Sequence, residues 1–168
     1  IRNHYVGRTF IEPTQSIRSF GVKLKLNATQ TLVKNKSIIL VDDSLVRGTT
    51  CHKIVKMLQD AGAKEVHVRI ACPEILFPDF YGVDMPTKKE LLANEKTNQE
   101  ICDYIKAKSL RFLSIEGLYK ALGFEKRNKL SPQLSDHYFT GEYPVKPKDL
   151  LGEGKITQLS LLSGKSNN

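Results

Sequence analysis

Apolar positions along this chain change their spacing several times, and each change predicts an element. Ser37 to Val41 (SIILV) is an uninterrupted run of residues that favour extended backbone, which predicts a strand covered on both faces. From Thr50 to Ala61 the period becomes helical, with Ile54, Val55, Leu58 and Ala61 on one stripe, and Gly62 follows where a helix-ending glycine belongs. VHVRIAC, residues 66–72, predicts a second strand stopped by Pro73. His67 alternates there with Val66 and Val68, which puts it on the outer face. Strand, helix and strand with short connections predict a βαβ unit and therefore a parallel pair.

Residues 73–86 (PEILFPDFYGVDMP) carry Pro and Phe at a length that suits a functional loop better than a plain connector. Thr97 with Glu100 fits a capping box opening a helix through Ile101, Tyr104 and Ile105. SLRFL (109–113) predicts a short strand, and IEGLYKALG (115–123) a helix closed by Gly123. The alternation of strands and helices implies an α/β fold with an open, mostly parallel sheet. Two regions show no sustained period. Residues 1–34 form a basic segment in which YVGRTF has the make-up of a loop that orders over a ligand, and 124–168 form a polar, Lys/Pro-rich extension expected to be disordered near its end. Residues 1–123 are expected to make up a partial domain. There is no internal repeat.

Charge narrows the partners. The net charge is +8, and residues 1–36 hold Arg2, Arg8, Arg18, Lys23, Lys25, Lys34 and Lys36 against the single acid Glu12. That asymmetry suits a phosphate or a nucleic acid, although exposed Lys and Arg occur on any surface. Cys51, Cys72 and Cys102 form no CxxC pair, so idle thiols in a reducing cytoplasm are expected. His4, His52, His67 and His137 are scattered and form no metal-ligand set. No apolar run approaches the roughly 18–20 residues that cross a bilayer, and no signal peptide opens the chain, so no membrane partner is expected. The first residue is Ile1 rather than Met, which reads as a fragment.

The chemistry concentrates in IILVDDSLVRGTT, residues 38–50. In an open α/β sheet, ligands bind beyond the carboxyl ends of the strands, where Asp42 and Asp43 fall. Gly48 permits close backbone approach to a ligand, and Thr49 and Thr50 open a helix whose free N–H groups suit a phosphate. Carboxylates for hydroxyls or a metal, beside amides for a phosphate, match a sugar phosphate. Helix capping or a bare Mg²⁺ site are the alternatives for the acidic pair. The stretch is not a nucleophile elbow, which needs Gly-x-Ser-x-Gly, nor a Walker A loop, which needs Gly-Lys-Ser/Thr.

This stretch resembles the phosphoribosyl pyrophosphate (PRPP) signature of type I phosphoribosyltransferases. HYVGRTFIEPTQSIR and VKLKLNA before it, with FYGVDMP and HYFTGEYP after it, resemble the amidophosphoribosyltransferase family from the first residue to about Pro147. The resemblance implies the type I phosphoribosyltransferase fold, incomplete on its N-terminal side, with an unpaired sheet edge and low solubility unless a partner covers it. It implies a glycosyltransferase that makes 5-phosphoribosylamine from PRPP and glutamine-derived ammonia, the first step of de novo purine biosynthesis. Asp42 and Asp43 would bind the ribose hydroxyls and help place Mg²⁺, while Val46, Arg47, Gly48, Thr49 and Thr50 would cradle the 5-phosphate. Tyr5, Arg8 and Ile11 would belong to a loop closing over PRPP.

No acid/base residue is assigned, and the glutaminase domain with its Cys nucleophile is missing here, so the fragment is expected to be inactive alone. Some members bind an iron–sulfur cluster on cysteines. The corresponding places here read Asp79, Ser135 and Tyr138, so no cluster is expected. Purine nucleotides are expected inhibitors, and a homo-oligomer is expected at full length. The alternatives are a nucleobase phosphoribosyltransferase or a PRPP-binding regulatory domain. Without a helix-turn-helix or an aromatic RNA-binding motif, nucleic acid is not an expected partner.

Overall fold

A computed structural model describes residues 28–81 and 88–145. In chain order these form α1 (Gln30–Val33), β1 (Ser37–Asp42), α2 (Thr49–Asp60), β2 (Glu65–Ile70), a 3₁₀ turn (Lys88–Glu90), α3 (Leu92–Glu95), α4 (Asn98–Tyr104), β3 (Ser109–Phe112), α5 (Ile115–Ala121) and α6 (His137–Thr140). The three strands make one sheet in the order β1-β2-β3, and both pairs are parallel. Register runs from Ser37 opposite Glu65 to Asp42 opposite Ile70, then from His67 opposite Ser109 to Ile70 opposite Phe112. The expected βαβ unit is therefore β1–α2–β2.

Alternation in β2 decides which face is the core. Val66, Val68 and Ile70 are buried, and they share one cluster with Cys51 and Val55 of α2, Ile101 and Cys102 of α4, and Leu110 of β3. The opposite face is polar on β2 and β3. His67 Nδ1 and Ser109 Oγ lie 2.8 Å apart, and the Arg69 guanidinium donates to Ser109 Oγ at 3.1 Å.

The expectation for the first strand needs correction. Ile39 and Val41 are 67% and 68% exposed, so β1 is covered on one face only among the described residues. An unbroken apolar run states that both faces tolerate a neighbour but does not supply one. Here the buried cluster draws α2 and α4 to the same side of the sheet.

Helix ends follow local chemistry. Thr97 Oγ1 accepts from the Glu100 amide at 3.3 Å, and the Glu100 carboxylate accepts from the Thr97 amide at 2.7 Å, a complete capping box. Gly62, with φ +92°, follows α2 as its spacing predicted. The polar extension holds more order than its composition suggests. Residues 124–145 fold back on the loop after β2, where the Leu76 and Phe77 amides both donate to the Tyr138 carbonyl at 2.9 and 3.0 Å. Residues 146–168 lie outside the described residues, and so does the expected disorder near the end.

Candidate functional site: the turn after β1

The acidic pair stands at the sheet's carboxyl edge because β1 ends there. The Asp42 carbonyl accepts from the Ala71 amide at 2.9 Å, fixing where the turn departs from the sheet. Leu45, 3% exposed, is driven into the core and pins the middle of the turn, leaving the polar residues around it outside. Asp42 Oδ1 accepts from the Asp43 amide at 3.1 Å, and Ser44 Oγ donates to Asp43 Oδ1 at 3.2 Å. Burial raises the Asp42 carboxyl above its ordinary pKa. The Asp43 charge adds to that rise, and the Asp43 amide opposes it.

The same carboxylates quiet the neighbouring thiols. Burial, reinforced by Asp42, pushes Cys51 up to about 12. Burial, with Asp43 and Asp42 adding, pushes Cys72 up to about 11. Both stay protonated at neutral pH and are poor nucleophiles, in keeping with the idle thiols expected of them.

At the far end of the turn, Gly48 is the N-cap of α2, with φ +70° and ψ −10°. No side chain caps α2 and no acid stands in its first turn. The positive end of a twelve-residue helix is thereby presented beside two carboxylates. Arg47 reaches Glu90 Oε1 at 3.4 Å, with both side chains about half exposed, so this contact is weak and adaptable.

All seven residues singled out in this stretch, Asp42, Asp43, Val46, Arg47, Gly48, Thr49 and Thr50, lie between the last residue of β1 and the first turn of α2. Tyr5, Arg8 and Ile11 lie outside the described residues. Two carboxylates make a hard, oxygen-only donor set. Among the described residues no group of three or more His, Cys, Asp or Glu comes together. Such a pair fits Mg²⁺ that keeps waters and arrives on phosphate oxygens, not a cage built wholly of protein.

Sequence reasoning missed the outer wall of the turn. The Leu92 amide donates to the Val46 carbonyl at 3.0 Å, and His52 Nδ1 donates to the Tyr104 carbonyl at 2.8 Å. These partners are separated by more than forty residues and share no motif, so only folding brings them together.

It missed a second cluster as well. His137 Nε2 lies 2.8 Å from Asp79 Oδ1, and the two side chains are 1% and 0% exposed. Ser135 Oγ is 3.2 Å from His137 Nδ1. Burial, with the Asp79 charge, raises the Tyr138 phenol above its ordinary pKa. Asp79, Ser135 and Tyr138, the positions at which the resemblance led us to look for cluster cysteines, thus converge on an oxygen-rich network around the buried His137, which sequence alone left scattered.

No protein-family model matches the chain. Comparison with curated proteins finds 58% identity over 97% of the chain to an amidophosphoribosyltransferase of Rhizobium etli. A chloroplastic amidophosphoribosyltransferase of Arabidopsis thaliana is 54% identical over 89% of the chain, and one from Staphylococcus aureus is 53% identical over 86%. The chain spans 33%, 26% and 29% of the length of these relatives. Among solved structures, glutamine PRPP amidotransferase from B. subtilis, complexed with ADP and GMP, superposes with a TM-score of 0.71 at 48% identity. The match covers 87% of this chain and 32% of that one. The structure of the allosteric regulatory enzyme of purine biosynthesis matches with the same score and identity. With its parallel open sheet and identity this high along nearly its whole length, the chain belongs to the amidophosphoribosyltransferase family, of whose members it spans about a third, and has the type I phosphoribosyltransferase fold.

Proposed function

We propose that this segment binds PRPP and forms the phosphoribosyl-transfer part of an amidophosphoribosyltransferase. The reaction would be displacement of pyrophosphate from C1 of PRPP by ammonia, giving 5-phosphoribosylamine for purine biosynthesis. One observation carries the reading: a carboxylate pair at the tip of β1 and the uncapped start of α2 occupy a single turn. Asp42 and Asp43 would accept hydrogen bonds from the vicinal ribose hydroxyls. The amides of Gly48, Thr49 and Thr50, with the threonine hydroxyls, would hold the 5-phosphate, and Val46 and Arg47 would complete that cradle.

Held at both ends, the ribose is oriented for in-line attack. The C1–O bond to pyrophosphate breaks as the bond to nitrogen forms, and the amine proton passes to solvent or to the departing group. Positive charge developing on the ribose is stabilised by the nearby carboxylates, so no protein nucleophile is required. That agrees with the suppressed thiols. Asp42 and Asp43 would also hold Mg²⁺, which when bound offsets the pyrophosphate charge.

Tyr5, Arg8 and Ile11 are proposed to lie on the loop that closes over PRPP, with Arg8 meeting pyrophosphate and Ile11 walling the ammonia path. Ammonia would come from a glutaminase domain. No iron–sulfur centre enters this reading, because Asp79, Ser135 and Tyr138 offer oxygen where thiolates would be needed. Purine nucleotides are proposed as inhibitors, since the B. subtilis relative was solved with ADP and GMP. We place the protein in the cytoplasm, as a homo-oligomer at full length. Among the described residues no helix is long and apolar enough to cross a membrane.

Calorimetric titration with PRPP, with and without Mg²⁺, tests the assignment on the chain and on Asp43→Asn. Binding should require Mg²⁺ and weaken about tenfold or more in the variant, the loss of a charge-assisted hydrogen bond pair. Absent binding, or equal affinities, would overturn the reading.

A further inference from the structure

The proposed phosphate cradle is made of backbone, so its quality depends on what holds the backbone still. Gly48 is buried, and a Cβ built on it would lie 2.7 Å from Leu92 Cδ2 and 3.1 Å from Tyr104 Cε1. The Leu92 amide also holds the Val46 carbonyl at 3.0 Å, two residues earlier in the same turn. One residue of α3 therefore grips the turn twice, by its backbone at Val46 and by its side chain at Gly48. Tyr104, the last residue of α4, closes the remaining side of Gly48, and its carbonyl accepts from His52 of α2. The turn is trapped between the helix it opens and two helices more than forty residues later.

We infer that Leu92 and Tyr104 are positioning residues, which wall the outer side of Gly48 and set the direction of the amides from Gly48 to Thr50. In this reading they act on the turn and not on the ligand. Their effect on affinity passes through the shape of the turn, and in that respect the inference rests on the proposed PRPP site. The reason for a glycine follows from the same contact. Its positive φ aims the chain into α2, and its missing side chain lets Leu92 and Tyr104 approach. Displacement of a cradle by a fraction of an ångström is enough to weaken a bound phosphate, because hydrogen bonds to it fade steeply with angle.

The test compares the chain with Leu92→Ala and Leu92→Met by residue-resolved amide exchange and by PRPP titration with Mg²⁺. The informative amides are those of His52 and residue 92, whose acceptors are the Gly48 and Val46 carbonyls. In Leu92→Ala both should exchange about tenfold faster while Val68 in β2 keeps its rate, and PRPP should bind about tenfold more weakly. Leu92→Met, similar in volume, should restore both readouts. Faster exchange spread equally through β2 and α2, or unchanged exchange at both amides, would overturn the inference. A parent chain that fails to bind PRPP would defeat the proposed function, and the exchange pattern would still decide whether Leu92 shapes the turn.

Discussion

At the residue scale, the acidic pair shows a conflict between stability and use. Burial raises the Asp42 pKa, and the charge of Asp43 adds to the rise. A raised carboxyl pKa means the folded chain binds more protons than the unfolded chain above about pH 4, the ordinary Asp value. Stability contributed by this group is complete below that pH and is lost as pH rises through the raised pKa. At neutral pH the charged carboxylate is therefore a cost of folding that ligand and metal would offset. Asp42→Asn should melt at a higher temperature than the parent at pH 7, with the difference shrinking toward pH 4, while its affinity for PRPP with Mg²⁺ falls. Thermal melts across that range check the sign. A variant that melts lower at pH 7 would contradict it.

At the element scale, the structure separates signals that act over a few residues from those that need the whole fold. Thr97 and Glu100 could be read from sequence because both halves of the capping box lie within one helical turn. Thr97→Ala should cost about 1 kcal/mol in urea unfolding, the usual worth of an N-cap, with most of the lost protection in α4. Gly62 and the β1–α2–β2 unit were legible for the same reason. The turn after β1 was legible too, since Asp42 to Thr50 are contiguous. The bare face of β1 was not, because Ile39 and Val41 look like core residues until the helices choose a side. Leu92 and Tyr104 carried no signal, since their partners at Val46, Gly48 and His52 are distant in the chain.

At the scale of the whole molecule, the polar segment after α5 is tied down by a buried ion pair that composition could not reveal. Asp136, 2% exposed, accepts from Arg127 and from the Tyr119 hydroxyl at 2.8 Å, while Arg127 also donates to Glu142 at 2.6 Å. Burial works to raise the Asp136 pKa, and the hydrogen bonds from Arg127 and Tyr119 more than reverse it, leaving the carboxyl below its ordinary value. With a depressed folded pKa, this contribution to stability is present above about pH 4 and disappears as pH falls through the folded pKa. Arg127→Ala leaves a buried carboxylate without its cation and should destabilise the chain by about 3–5 kcal/mol at pH 7. The gap should narrow on acidification, as the buried Asp136 of the variant takes up a proton and no longer needs a cation. Urea titrations at pH 7 and pH 3 give the comparison, and a gap that is unchanged or wider at pH 3 would refute the role given to the pair.

The strand that delivers the acidic pair also leaves Ile39 and Val41 facing water on its other side. Kosmotropic anions such as sulfate are excluded from apolar surface and favour hiding it. Salting-out media therefore push this strand toward self-association through Ile39 and Val41.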